Sequence, residues 1–65
     1  MTQLERNAVS EYNLLVKLYG KNKNFTIEEN IEDNKIILNA KWLNKNDCFE
    51  NDMRIIHGDG HIELY

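Results

Sequence analysis

The chain has 65 residues, a formal net charge of −3 from 11 acidic and 8 basic residues, and a single cysteine. A chain this short buries only about 60% of the surface its unfolded form exposes. Its core therefore needs nearly every large apolar residue, which leaves little room for a deep, water-excluding active site. The acidic balance argues against simple nucleic-acid binding, because phosphate recognition needs a positive patch.

The hydrophobic fraction is 42% and the charged fraction 29%, ordinary for a folded domain. No apolar run approaches the roughly 18 residues that a membrane span needs. The opening residues, Met1 to Arg6, show no basic segment followed by an apolar stretch, so secretion is not expected. Cys48 has no cysteine partner in the chain. A fold held by packing alone, without disulfide or cofactor, suits a reducing cytoplasm. Length predicts one domain, residues 1–65, with no linker. The chain has 10 Asn, 7 Ile and 6 Lys but no Pro and 2 Ala. That bias points to an AT-rich genome, bacterial or viral, because Asn, Ile and Lys have AT-rich codons.

The first predicted element is a helix from Thr2 to Tyr19. Thr2 and Glu5 have the spacing of a capping box, in which hydroxyl and carboxylate each satisfy an orphan backbone N–H. At 100° per residue, Leu4, Ala8, Val9, Tyr12, Leu15, Val16, Leu18 and Tyr19 share one half of the helix, opposite Arg6, Ser10, Asn13 and Lys17. This predicts a wide buried stripe, with Leu14 outside it. Gly20 follows as a C′ residue, and Lys17, Lys21 and Lys23 suit the negative helix end.

From Asn24 to Ile31 the pattern changes to period two. Phe25, Ile27 and Ile31 share one face; Thr26, Glu28, Asn30 and Glu32 share the other. Glu29 falls on the apolar face, so a bulge or an early strand end is expected there. Glu32 to Lys35 reads as a turn. Ile36 to Leu43 reads as a second strand, with Ile36, Leu38, Ala40 and Trp42 on one side and Ile37, Asn39, Lys41 and Leu43 on the other. The two strands form an antiparallel hairpin. Asn44 to Asp52 reads as an irregular loop with Phe49 as a plug beneath it. Met53 to His57 and His61 to Tyr65 flank Gly58-Asp59-Gly60, and Asp-Gly between apolar runs is a strong hairpin signal. The predicted class is α+β: one N-terminal amphipathic helix on an antiparallel sheet of three to four strands, in the order α-β-β-β-β.

One constellation resembles chemistry. A three-residue loop would set His57 and His61 opposite each other, and two imidazoles near Asp59 suit a divalent metal. A two-residue loop would send them to opposite faces. Structural zinc needs four ligands, with Cys48 closing the set, so a plain turn is the simpler reading. Cys48 as a nucleophile would need a base, an orienter and an oxyanion hole. A domain this small can hardly supply these, so an incidental thiol and no enzymatic activity are expected. Glycine-rich phosphate loops are absent.

Recognition features are more plentiful. Glu28, Glu29, Glu32 and Asp33 form an acidic cluster at the first hairpin, with Asp47, Glu50 and Asp52 as a second group. Such a cluster is either a solvated edge that blocks strand-to-strand aggregation or an electrostatic interface for a basic partner. One helix covers only one sheet face, which leaves Ile37 and Leu43 uncovered, with Ile56 as a third candidate. Trp42 and Tyr65 add aromatic surface. An apolar patch flanked by acids is a protein-interface signature.

In general character the chain resembles small acidic proteins of phages and mobile elements, including anti-CRISPR and other anti-defence inhibitors. The resemblance rests on size, charge and composition and transfers no residue. It implies a non-enzymatic protein that binds a larger host protein or ribonucleoprotein with a basic surface and inhibits it sterically. The expected contact residues are Ile37, Lys41 and Leu43, with Glu28, Glu32 and Asp33 as charged rim. The alternative is a small regulatory or nucleic-acid-associated protein acting as a homodimer or larger oligomer, which would gather Lys21, Lys23, Lys41 and Lys45 into one basic surface. A metal-dependent activity at His57 and His61 ranks third.

Overall fold

A computed structural model describes residues 1–65. Helix α1 (Gln3–Tyr19) precedes four strands: β1 (Lys23–Glu32), β2 (Lys35–Leu43), β3 (Phe49–His57) and β4 (Ile62–Leu64). The strands pair antiparallel in the order β1-β2-β3-β4, and α1 lies across β2 and β3 on one face. This is the expected α-β-β-β-β arrangement.

Local chemistry sets the start of α1. The Glu5 N–H donates to Thr2 Oγ1 at 3.1 Å, and the Thr2 N–H donates to the Glu5 carboxylate at 2.9 Å. The Thr2 hydrogen bonds hold the Glu5 carboxyl below its usual range, the backbone N–H most strongly. Gly20 is the C-cap of the helix and not the C′ residue. Gly20 stays right-handed at φ −60, and its N–H donates to the Val16 carbonyl at 2.8 Å. Left-handed backbone occurs instead in the strand start and turns, at Asn24, Asn34 and Asp47 with φ 55, 60 and 59, where short polar side chains tolerate that region.

The core is small. Ala8, Leu15, Ile36, Leu38, Ala40, Trp42 and Ile56 are its buried apolar members, with Leu4, Tyr19, Phe25, Ile27 and Ile62 packed at its margin. Strand β2 alternates between buried and half-buried along its whole length, because its even-numbered residues face α1. The wide helical stripe is corrected. Only Ala8 and Leu15 are buried, whereas Val9, Tyr12, Val16 and Leu18 are exposed, Leu18 by 53%. A cylinder on a sheet touches it along a narrow line, and here that line is Leu4, Ala8, Glu11, Leu15 and Tyr19. The accessible surface is 4671 Å², against about 4,300 Å² expected for this mass.

A buried ionic network ties the helix to the sheet. Arg54 is 8% exposed, donates to Glu11 at 2.9 Å and to Asp52 at 3.2 Å, and leaves its Nε without a partner. Burial opposes the guanidinium charge, but the two carboxylates outweigh it and hold the pKa above its ordinary value. Tyr19 donates its hydroxyl to Asp52 at 2.8 Å, which raises the phenol pKa, with burial adding to the effect. The Tyr19 ring stacks on Trp42 with centroids 4.0 Å apart.

Three further expectations are revised. Glu29 causes no bulge: it pairs regularly with Leu38, and the irregularity lies between Lys23 and Thr26. An edge strand that α1 leaves uncovered keeps this carboxylate in water. The loop before β3 ends at Cys48, so β3 starts four residues earlier than expected. Phe49 is no plug: it pairs with Leu43 and is 72% exposed. The Asn44 side chain accepts from the Asn46 and Cys48 N–H groups and closes this loop by itself.

Candidate functional site

The sheet face away from α1 is the candidate site. Strand alternation puts Thr26, Glu28, Asn30 and Glu32 of β1 on it, together with Lys35, Ile37, Asn39, Lys41 and Leu43 of β2. Cross-strand register then adds Ile55 opposite Ile37, Met53 opposite Asn39 and Phe49 opposite Leu43. No element covers this face. The proposed contact residues Glu28, Glu32, Ile37, Lys41 and Leu43 thus share one surface, with Asp33 in the adjoining turn.

Two expected members leave the surface. Ile56 is fully buried against the helix, and Ile55 takes its place. Trp42 is also buried, beneath Tyr19, and its indole N–H donates to Glu50 at 3.1 Å. Phe49, Met53 and Ile55 are apolar contributors that the sequence pattern did not assign. The Ile55-Ile56 doublet held half the signal, but only the pairing with β2 decides which isoleucine faces outward.

Charges on this face are largely paired. Lys41 donates to Glu28 at 3.1 Å, and Lys35 lies 3.5 Å from Glu32. The Asn51 amide donates to Asn39 at 3.3 Å. The face is thus a patchwork of apolar contacts and neutralised ion pairs, less negative than its carboxylate count implies. The second acidic group is divided: Asp52 serves Arg54 and Tyr19 beside the helix and Glu50 accepts from Trp42, while Asp47 is exposed in the loop before β3.

At the far end of the face, Tyr65 donates its hydroxyl to Glu63 at 2.6 Å, and His57 Nε2 lies against the other Glu63 oxygen. The Tyr65 bond, then the His57 contact, hold the Glu63 carboxyl below its ordinary 4.5. A carboxyl depressed by folding stabilises the native state above its unfolded pKa. That contribution disappears as pH falls through the lower, folded value. The melting midpoint is therefore expected to drop as pH is taken below about 4.5, and Glu63→Gln should flatten part of the drop. Melts of both proteins from neutral to acidic pH check this; parallel curves would show that the contact has no thermodynamic weight.

The three-residue loop brings His57 and His61 together, with ring centroids 5.6 Å apart and the His57 N–H donating to the His61 carbonyl at 2.8 Å. Gly60 supplies the turn at φ +96. No group of three or more His, Cys, Asp or Glu side chains is placed to hold a metal. Cys48 lies at the opposite end of β3, roughly 30 Å away at 3.3 Å per residue. Lys23 sits opposite Leu43, close to the loop that carries Lys45, so Lys21, Lys23 and Lys45 collect at one end of the sheet. Lys41 is set back along β2, paired with Glu28. No helix is long and apolar enough to cross a membrane. Comparison of the chain with protein-family models, with characterised proteins and with solved structures returns no match.

Proposed function

We propose that this chain is a non-enzymatic interaction protein that binds a larger macromolecule through its open sheet face and inhibits it sterically. It would act in the manner of the small inhibitors of phages and mobile elements, such as anti-CRISPR and other anti-defence proteins. The observation that carries the reading is the uncovered patch of Ile37, Leu43, Phe49, Met53 and Ile55 on the two central strands. These residues stand in two groups, Ile37, Ile55 and Met53 at one end and Leu43 with Phe49 at the other, separated by Lys41 and Asn51, and uncovered apolar groups rimmed by polar residues suit a recognition surface. Glu28, Lys41, Glu32 and Asp33 form its charged rim, where electrostatics set on-rate and partner choice more than affinity. A partner with a basic surface matches the excess of carboxylates at the first hairpin.

The test begins with a pull-down from the native host and continues with kinetics on the captured partner. Reversing Glu28, Glu32 and Asp33 to Lys is expected to slow association about tenfold or more. It should shift stability by no more than about 1 kcal/mol, because exposed ion pairs contribute little. Leu43→Ser with Phe49→Ser should abolish binding by speeding dissociation. Wild-type kinetics in both variants would place the interface elsewhere. The gathering of Lys21, Lys23 and Lys45 favours a second reading, an oligomeric nucleic-acid-associated protein. In that case the captured partner would be nucleic acid, and binding would fall steeply with salt.

A further inference from the structure

Strand β1 is one outer edge of the sheet: it pairs with β2 on one side and with nothing on the other. The ladder shows which of its backbone groups stay open. The His57 N–H donates to His61 and the Tyr65 N–H donates to Met53, so the odd-numbered residues of β3 bond to β4 and the even-numbered ones to β2. In this register the even-numbered residues of β2 bond to β3, and its odd-numbered residues bond to Thr26, Glu28, Asn30 and Glu32 of β1. Ile27, Glu29 and Ile31 therefore turn their N–H and C=O groups outward along the edge, and no loop backbone bonds to them. Protected edges are short, bulged, covered, or carry lysine or proline. Strand β1 is ten residues long, has no proline, and carries its lysine and its irregularity only at the start, between Lys23 and Thr26.

Backbone chemistry and charge together narrow the occupant. A row of alternating donors and acceptors is matched by another extended backbone, which adds as a strand; a helix keeps its own N–H and C=O groups bonded internally. A second copy of β1 is disfavoured by charge. Antiparallel registers centred on Glu28, Glu29 or Asn30 set Glu28 against Glu28, Glu29 against Glu29, or Glu28 against Glu32, and like charges directly opposite destabilise a strand pair. The side chains of the edge then specify the incoming sequence. Ile27, Glu29 and Ile31 alternate along the helix-facing side. Glu28 and Glu32, on the other side, already meet Lys41 and Lys35, but Glu29 has no basic side chain within ion-pair distance. We infer that β1 accepts an extended segment of a partner protein as a fifth strand, with lysine or arginine opposite Glu29 and apolar residues two positions away on either side. Those apolar residues lie opposite Ile27 and Ile31, next to the cleft that α1 leaves between Val9, Tyr12 and β1. The surface is the edge of the sheet and not its open face, so it does not depend on the function proposed above.

The test titrates the peptide Thr-Val-Thr-Lys-Thr-Val-Thr into isotope-labelled protein and follows amide chemical shifts and hydrogen exchange. The peptide is expected to shift the Ile27, Glu29 and Ile31 amides and slow their exchange, and to leave Ile55 and Phe49 on the open face unmoved. The same peptide N-methylated at both valines and the lysine lacks the donors that face β1 and should not bind. Glu29→Lys should weaken the unmethylated peptide about tenfold, and a peptide with Glu in place of its Lys should recover binding to that variant. Glu29 is exposed, so the spectrum of the variant will show the fold intact. Equal binding of the N-methylated peptide, shifts confined to the open face, or no shifts at all would overturn the inference. So would concentration-dependent slowing of the same three amides without peptide, which would make a second copy the occupant.

Discussion

Leu15→Ala is expected to leave this domain largely unfolded at room temperature. Leu15 is fully buried and sits among only seven buried apolar residues. Truncating a buried leucine costs about 2–5 kcal/mol, part of it from the cavity that neighbours fail to fill. A single core in a chain of this size rarely supplies more than about 3–5 kcal/mol. The loss therefore approaches the whole stability. Leu18→Ala is the matched control. It changes the same residue type on the same predicted stripe, yet Leu18 is half exposed, and its loss should stay within about 0.5 kcal/mol. Circular dichroism melts of the two variants check the pair. Equal losses would mean that the helix contacts the sheet over a wide stripe and not along a narrow line.

The second large effect is expected at the ionic network. Glu11→Ala should cost about 3 kcal/mol, because removing one partner of a buried pair strands the other charge. Arg54 would keep Asp52 but lose the bond that joins sheet to helix. Replacing the set together, with Glu11→Leu, Asp52→Asn and Arg54→Met, should be neutral or stabilising by about 1–4 kcal/mol, since no charge then needs desolvation. Asn at position 52 keeps an acceptor for the Tyr19 hydroxyl. Urea midpoints distinguish the cases, and a Glu11→Ala protein as stable as wild type would show that water screens the pair. The network also pins the helix register. A slide of one turn would present Asn7, Ala8, Leu14 or Leu15 to Arg54, and none of these offers a carboxylate.

The contrast between Leu15 and Leu18 shows where local pattern stops. Helical periodicity ranks apolar residues by angle, but the buried arc depends on the surface the helix meets. Glu11 lies at the centre of that arc because Arg54, 43 positions away, turns the contact polar there. The candidate site divides in the same way. Alternation along β1 and β2 put Glu28, Glu32, Ile37, Lys41 and Leu43 on one face, and the sheet preserves that alternation. The outward turn of Phe49 and Ile55, and the inward turn of Trp42 beneath Tyr19, required cross-strand register and helix placement.

The sequence by itself determined what neighbouring residues enforce on one another. The Thr2–Glu5 box starts the helix, period-two alternation makes β2, and Gly58-Asp59-Gly60 turns the last hairpin. These contacts span a few residues, so the information lies within a short window. Only the tertiary structure decided the extent of β3, the uncovered side of β1, the Glu11–Arg54–Asp52 network and the pairing of Glu28 with Lys41. Each joins segments far apart in the chain, where which groups meet is decided by the packing of whole elements and not by the preference of any one segment.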